Sequence, residues 1–81
     1  MQETIVIDAN AIKNEDYKDT LKSIIMDMEE RGYNSYKQIT EYVLTGEVGY
    51  ITSYKECRSR IAKINRRDLV ELMMREFTKW G

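Results

Sequence analysis

Few side chains in this sequence commonly do chemistry, and their spacing does not favour catalysis. The 81 residues include one cysteine, Cys57, and no histidine. One chain therefore cannot assemble a Cys/His or Ser/His nucleophile pair or an ordinary zinc site. Carboxylates stand side by side at Glu15–Asp16 and Glu29–Glu30, but sequence neighbours point to different parts of a helix surface, which is typical of solvated charge. We expect no enzyme activity, no metal site and no cofactor.

Charge is distributed unevenly along the chain. Residues 1–31 contain four Lys or Arg against eight Asp or Glu, a net charge of −4, whereas residues 55–67 contain six against one, a net charge of +5. The stretches 32–54 and 68–81 carry −1 each. The acidic front and the basic third quarter are predicted either to meet, within or between subunits, or to leave the basic stretch for an anionic partner.

Length and composition predict one small, folded, mostly helical domain. The sequence has no proline, four glycines and 33% charged residues, and no apolar run exceeds three residues. Such runs are too short to span a bilayer or to form a secretory signal, and a single cysteine fits a reducing compartment. We expect a cytoplasmic protein without membrane insertion.

A domain of this size buries only about 60–65% of the surface that its unfolded chain exposes, so a second copy could supply further burial.

The first predicted helix begins after Asn14, a good N-cap, and stops at Gly32, where a left-handed residue ends helices. Its apolar residues recur with helical period: Tyr17, Leu21, Ile24, Ile25 and Met28. Residues 1–13 include the β-prone run from Thr4 to Ile7. They are predicted to form a short strand or a flexible tail ahead of a helical domain of residues 14–81.

Two further helices are predicted in the middle of the chain. The second runs from Asn34 or Ser35 to Gly46, which can close it. Its apolar stripe is Tyr36, Ile39, Tyr42 and Val43. A structured connection that buries Tyr50 and Ile51 should follow. The third helix is predicted to start at Ser53, whose spacing from Glu56 is that of a capping box. Its apolar face consists of Tyr54, Cys57, Ile61 and Ile64.

The fourth predicted helix starts at Asn65 or Asp68 and is apolar over more than half of its circumference. Its apolar positions are Leu69, Val70, Leu72, Met73, Met74, Phe77 and Trp80. This surface could be the interior of the monomer or the seam of a homodimer. For the homodimer the predicted interface residues are Leu69, Met73, Phe77 and Trp80. The predicted fold class is all-α, a compact four- to five-helix domain with a helix-turn-helix-like centre, as a homodimer.

The helix-turn-helix-like centre also suggests a second function, nucleic-acid binding by a basic helix. The cations of this helix are Lys55, Arg58, Arg60, Lys63, Arg66 and Arg67. At 100° per residue they spread around the helix, and the negative net charge of the chain weakens its attraction for DNA. Nucleic acid is therefore the alternative partner and not the leading one.

A series of short motifs suggests a family. They are GYN at 32–34, Gln38-Ile39, Tyr42, Thr45-Gly46-Glu47, Tyr50-Ile51, Cys57-Arg58, Ile61, Lys63, Arg66 and Glu71. In this order and spacing, over about 45 residues, they resemble the small bacterial IreB/ReoM family. The chain departs from the family pattern where Ser35 replaces a proline and where Ala62 and Arg67 replace an arginine and an aspartate.

The resemblance implies a compact all-helical homodimer without catalytic activity. It further implies phosphorylation of an N-terminal threonine by a membrane-anchored PASTA-type Ser/Thr kinase, reversal by a partner phosphatase, and control of cell-envelope synthesis and cell-wall antibiotic resistance. The matching threonine is Thr4, and the matching basic residues are Arg58, Lys63 and Arg66. These three are expected to contact phosphate or a downstream protein, because arginine engages phosphate oxygens bidentately.

Overall fold

The fold, which we describe from a computed structural model, is built from α-helices joined by short turns. The structure describes residues 9–80, with side chains from 16 to 79. Over this range the helices are α1 (Ala9–Glu30), α2 (Ser35–Thr45), α3 (Cys57–Ala62) and α4 (Arg66–Trp80), with 3₁₀ turns at Val48–Tyr50 and Tyr54–Glu56. No strand occurs among these residues. The predicted all-α class is confirmed.

Helix α1 begins earlier than the sequence suggested. It starts at Ala9, so Asn14 lies within the helix and is not its N-cap. Alanine has the highest helix propensity, and no glycine or proline interrupts residues 9–13, so the backbone can continue helical ahead of Asn14. Thr4 and the rest of residues 1–8 lie outside the described residues.

Glycine ends α1 as predicted. Gly32 has a φ of 85°, a left-handed conformation that glycine adopts without a steric penalty. Its N–H donates to the Glu29 carbonyl at 3.0 Å, and the Tyr33 N–H donates to the Met28 carbonyl at 3.0 Å. This pair of bonds is a Schellman motif, which satisfies carbonyls at the end of the helix.

Helix α2 is capped at both ends by the predicted residues. The Asn34 side chain accepts a hydrogen bond from the Lys37 N–H at 3.0 Å, and Gly46, with a φ of 77°, donates its N–H to the Tyr42 carbonyl. The turn from α1 to α2 is thus four residues long, Arg31 to Asn34. It returns the chain so that α2 packs against α1.

The core is centred on α1, which contacts each of the other three helices. The buried apolar residues come from all four helices, from the connection after α2 and from the turn between α3 and α4: Leu21, Ile24, Met28, Ile39, Tyr42, Ile51, Cys57, Ile61, Ile64, Leu69 and Leu72. The sequence predicted these positions from helical periodicity, except Ile51, which was predicted to be buried in the connection after α2. None of the described helices contains an apolar stretch long enough to cross a membrane.

Two tyrosines predicted to be buried are exposed. Tyr36 is 76% exposed and Tyr50 is 48% exposed. Helix α2 is rotated so that Ser35, and not its neighbour Tyr36, faces inward. The buried Ser35 hydroxyl donates to Glu29 Oε2 at 3.2 Å, which satisfies its polar atom. The prediction for Tyr36 was wrong because the tertiary packing, and not the sequence spacing alone, sets the rotation of α2. The prediction for Tyr50 was wrong because only its neighbour Ile51 is buried at the 3₁₀ turn Val48–Tyr50.

The start of α3 also differs from the prediction. Ser53 makes no capping hydrogen bond through its side chain, so the predicted capping box is absent. Lys55 and Glu56 instead have positive φ values of 48° and 62°, and α3 begins only at Cys57. The next cap is as predicted, since Asn65 Oδ1 accepts from the N–H groups of Arg67 and Asp68 at 2.9 and 3.3 Å.

Candidate functional site

The basic stretch packs onto the acidic carboxyl-terminal half of α1. Arg60 Nη1 lies 2.7 Å from Asp27 Oδ2, and Arg60 Nη2 donates to Ser23 Oγ at 2.6 Å. The same guanidinium donates to the Lys55 carbonyl at 3.0 Å. The two charged blocks of the sequence therefore meet within one chain through Arg60 and Asp27.

A second pair of contacts lies at the end of α1. Lys55 Nζ lies 2.8 Å from Glu30 Oε1, and the Tyr54 hydroxyl donates to the same oxygen at 3.2 Å. The Arg31 guanidinium lies over the Tyr54 ring, 5.1 Å from its centroid. The hydrogen bonds from Lys55 and then from Tyr54 lower the pKa of Glu30, and the bond to Glu30 raises the pKa of Lys55.

We call Asp27, Glu30, Lys55 and Arg60 the ionic cluster. Its members are partly exposed: the side chains of Asp27 and Arg60 are 22% and 25% accessible, and those of Glu30 and Lys55 about half. A meeting of the opposite charges was one of the two alternatives that the sequence left open, but the sequence did not indicate that Lys55 and Arg60 would supply the cations. Which cations pair with α1 depends on how α3 and the turn before it pack against α1.

The three cations carried over from the family resemblance lie at different places on the surface. Arg58 Nε donates to the Ile51 carbonyl at 2.9 Å. Lys63 borders a groove of mixed polarity beside Asp16 and Asp19 of α1. The Arg66 guanidinium lies against Gly46, at the carboxyl end of α2. These residues are all exposed, and the structure does not bring them into one binding pocket.

Helix α4 has two apolar faces. Leu69 and Leu72 are buried in the core of the chain, and Met73 is partly buried against it. On the outer face Met74 is 56% exposed and Phe77 is 69% exposed. Of the predicted interface residues, Leu69 thus lies inside the monomer and Phe77 on its surface, and the side chain of Trp80 lies outside the described residues.

A mostly apolar groove of about 290 Å³ lies between α1, α2 and α4. Its lining residues are Lys18, Leu21, Lys22, Ile25, Tyr36, Ile39, Thr40, Leu72, Met73 and Glu76. Lys18 Nζ pairs with Glu76 Oε2 at 3.3 Å across the groove, and Lys79 pairs with the same carboxylate oxygen at 3.3 Å. A groove with this lining suits an apolar partner surface better than a small polar substrate.

The lone cysteine is a core residue. Cys57 is fully buried, and its Sγ lies 3.8 Å from the Ile24 carbonyl oxygen. Burial raises the pKa of the thiol, which disfavours the reactive thiolate. Among the described residues, no three His, Cys, Asp or Glu side chains come together in a way that could hold a metal ion.

The described surface therefore offers three features: a partly neutralised basic helix, an apolar groove and the exposed outer face of α4. In comparison with known families, the model of the IreB regulatory phosphoprotein family matches residues 2–79 of the chain. This match spans the acidic front, the glycine-bounded helix α2 and the basic helix. The chain therefore belongs to the IreB family of regulatory phosphoproteins.

Proposed function

We propose that this protein is a non-catalytic, cytoplasmic adaptor whose binding of a downstream protein is controlled by phosphorylation of Thr4. The kinase is a PASTA-type Ser/Thr kinase, a phosphatase reverses the modification, and the process regulated is cell-envelope synthesis and with it cell-wall antibiotic resistance. The observation that carries the proposal is the match to a family of regulatory phosphoproteins over residues 2–79, a range that includes Thr4.

Position and charge support Thr4 as the regulated residue. It lies five residues before Ala9, the first residue of α1, and an extended chain of five residues spans about 17 Å. A phosphothreonine adds a charge of about −1.5 to −2 to a front region whose net charge is already −4. Such a change alters where the amino-terminal segment lies against the rest of the molecule.

Lys63 is the cation of the predicted set that lies beside α1. It borders the groove that also contains Asp16 and Asp19 of α1. Asp16 lies seven residues after Ala9, which is about 10 Å along a helix. An extended link of five residues, about 17 Å, is longer than this distance. Arg58 and Arg66 remain available for the downstream protein.

The second part of the proposal is a homodimer formed through the outer face of α4. Phe77 is exposed there, one helical turn beyond Met73 at the apolar groove. An exposed aromatic next to an apolar groove is typical of a protein–protein interface. Met73, Phe77 and Trp80 would form the seam, while the buried Leu69 would support it from within the core.

A kinase assay tests the regulation. We expect a PASTA-type kinase to add one phosphate to the native chain, measured by intact mass, and none to a Thr4→Ala variant. Thr78→Ala, which removes an exposed threonine of α4, is the matched control and should still be modified. If the native chain stays unmodified while a control substrate is phosphorylated, Thr4 is not the regulated residue.

A second experiment tests the adaptor role in cells of the native host. Deletion of the protein should change the sensitivity to cell-wall antibiotics, and the native chain should restore it. Co-purification with native, Thr4→Ala and Thr4→Glu chains should give one partner whose recovery differs between the last two. Equal recovery with both variants would contradict control by charge at Thr4.

The ionic cluster weakens the case for nucleic-acid binding. Lys55 and Arg60 are two of the six cations that would face DNA, and both pair with carboxylates of α1. A phosphate backbone would have to compete with Glu30 and Asp27 for them. Salt-dependent binding of duplex DNA at low micromolar protein would restore this alternative.

A further inference from the structure

The turn before α3 contains two successive residues in an unfavourable backbone conformation. Lys55 has φ 48° and ψ 33°, and Glu56 has φ 62° and ψ 27°. They are the only non-glycine residues with positive φ among the described residues. For residues with a Cβ the left-handed region is sterically disfavoured, and two such residues in succession are rarer still.

The local sequence favours a different conformation at this turn. Ser53 and Glu56 have the spacing of a capping box, but the Ser53 side chain makes no capping bond. The Glu56 N–H instead donates to the Ser53 carbonyl at 2.9 Å. If Lys55 and Glu56 were right-handed, Ser53 would be the N-cap, and residues 54–62 would form one continuous helix.

Contacts with α1 hold the unfavourable turn in place. Glu30 binds both Lys55 Nζ, at 2.8 Å, and the Tyr54 hydroxyl, at 3.2 Å. Arg60, which is anchored on Asp27 at 2.7 Å, donates to the Lys55 carbonyl at 3.0 Å. In a continuous helix that carbonyl would accept from a main-chain N–H instead. The contact from Arg60 to the Lys55 carbonyl therefore belongs to the left-handed form.

We propose that residues 53–57 form a two-state hinge. In the latched state Asp27 and Glu30 hold Lys55 and Arg60, and the turn is left-handed. In the released state these ion pairs are broken, and residues 54–62 form one helix. Bistable turns of this kind are a common device for switching a surface between two arrangements. The hinge does not depend on Thr4 or on a kinase.

Release of the hinge changes the surface of the basic helix. In the latched state α3 has only six residues, and Arg58 Nε is held by the Ile51 carbonyl at 2.9 Å. Extension of α3 toward Tyr54 redirects the chain between Ile51 and Cys57 and breaks this bond. A cationic partner that binds Asp27 and Glu30 would therefore shift the population toward the released state.

The backbone conformation is tested by a matched pair of substitutions at Glu56. If the turn is left-handed, the Glu56→Gly variant should have a higher melting temperature than the Glu56→Ala variant, since glycine lacks the Cβ that makes positive φ unfavourable. In a domain of this size the two melting temperatures should differ by about 4–8 °C. If Glu56→Ala melts at the higher temperature, the turn is right-handed and the hinge proposal is wrong.

The latch is tested by Asp27→Asn combined with Glu30→Gln. In the native chain we expect strong intraresidue NMR cross-peaks between the amide proton and the Hα of Lys55 and of Glu56, because a positive φ brings these two protons closer together than a helical φ does. The double variant should weaken both cross-peaks. Glu71→Gln, the same substitution at an exposed glutamate of α4, should leave them unchanged. A folded double variant that keeps both cross-peaks strong would contradict the latch.

If the double variant does not fold, a salt series on the native chain tests the latch instead. At about 1 M salt the screening length falls to about 3 Å, which weakens exposed ion pairs. The intraresidue cross-peaks of Lys55 and Glu56 should then weaken, while the cross-peaks within α2 stay unchanged. A native chain whose turn keeps the left-handed pattern at high salt would overturn the role of the ion pairs.

Discussion

Arg60 of α3 and Asp27 of α1 form an ion pair with an Nη1–Oδ2 distance of 2.7 Å, and this pair joins two regions that are 33 residues apart. The guanidinium also binds the Ser23 hydroxyl and the Lys55 carbonyl. One side chain thus ties the basic helix to α1 and to the turn that precedes it. The acidic and basic regions of the sequence therefore contribute to the fold through this ion pair.

Replacement of Arg60 by Gln should lower the free energy of unfolding by about 1–2 kcal/mol, because hydrogen bonds to a partly buried charged group are worth more than exposed ones. Urea denaturation measures the change. Arg67→Gln removes an exposed arginine of α4 and should change the stability by less than about 0.5 kcal/mol. In a double-mutant cycle with Asp27→Asn, additive effects would show that the two side chains do not interact.

Gly46→Ala should destabilise the chain by about 1 kcal/mol, since Gly46 has a φ of 77° and a Cβ disfavours this conformation. The added methyl group would also displace the Arg66 guanidinium from its place beside Gly46. Gly49→Ala is the control, because Gly49 lacks a positive φ and a Cβ there has no neighbour within 4 Å. Equal thermal midpoints for the two variants would contradict the left-handed cap.

The stability contribution of Glu30 should depend on pH. Hydrogen bonds from Lys55 and then from Tyr54 lower its pKa below the ordinary value of 4.5. Since the folded state holds the carboxylate more strongly than the unfolded state, this contribution is present above pH 4.5 and is lost as the pH falls through the lowered pKa. The stability difference between native and Glu30→Gln chains should therefore shrink on acidification. A difference that grows at low pH would contradict the assignment.

Phe77→Ser should dissociate the proposed homodimer, because Phe77 is 69% exposed on the outer face of α4 and would lie in the seam. Sedimentation equilibrium at micromolar concentration should give the dimer mass for the native chain and the monomer mass for this variant. Leu44→Ser, which removes a leucine of α2 that is 73% exposed, is the matched control and should remain dimeric. A native chain of monomer mass would remove the dimer from the proposal.

The sequence predicted the parts of the fold that depend on local rules. Gly32, Asn34, Gly46 and Asn65 end or begin helices where their types predict, because caps and left-handed glycines are decided by nearby backbone groups. The apolar residues at helical spacing form the core for a similar reason, since a period of 3.6 residues places them on one face.

Local rules failed where residues distant in sequence compete with them. The Ser53–Glu56 pair predicts a helix start, but Glu30 and Asp27 hold Tyr54, Lys55 and Arg60 in the arrangement that the left-handed turn requires. The candidate site shows the same limit. The sequence identified the cations, but only the packing decided that Arg60 pairs with Asp27 while Lys63 faces a groove.

The sequence by itself determined the helical class, the end of α1, both ends of α2, the start of α4, the core residues and the family, because these follow from residue types and short spacings. The tertiary structure alone decided the rotation of α2, which exposes Tyr36, and the partners of each charge. Helix rotation and charge pairing depend on many contacts between elements that are distant in sequence, and local sequence patterns do not specify these contacts.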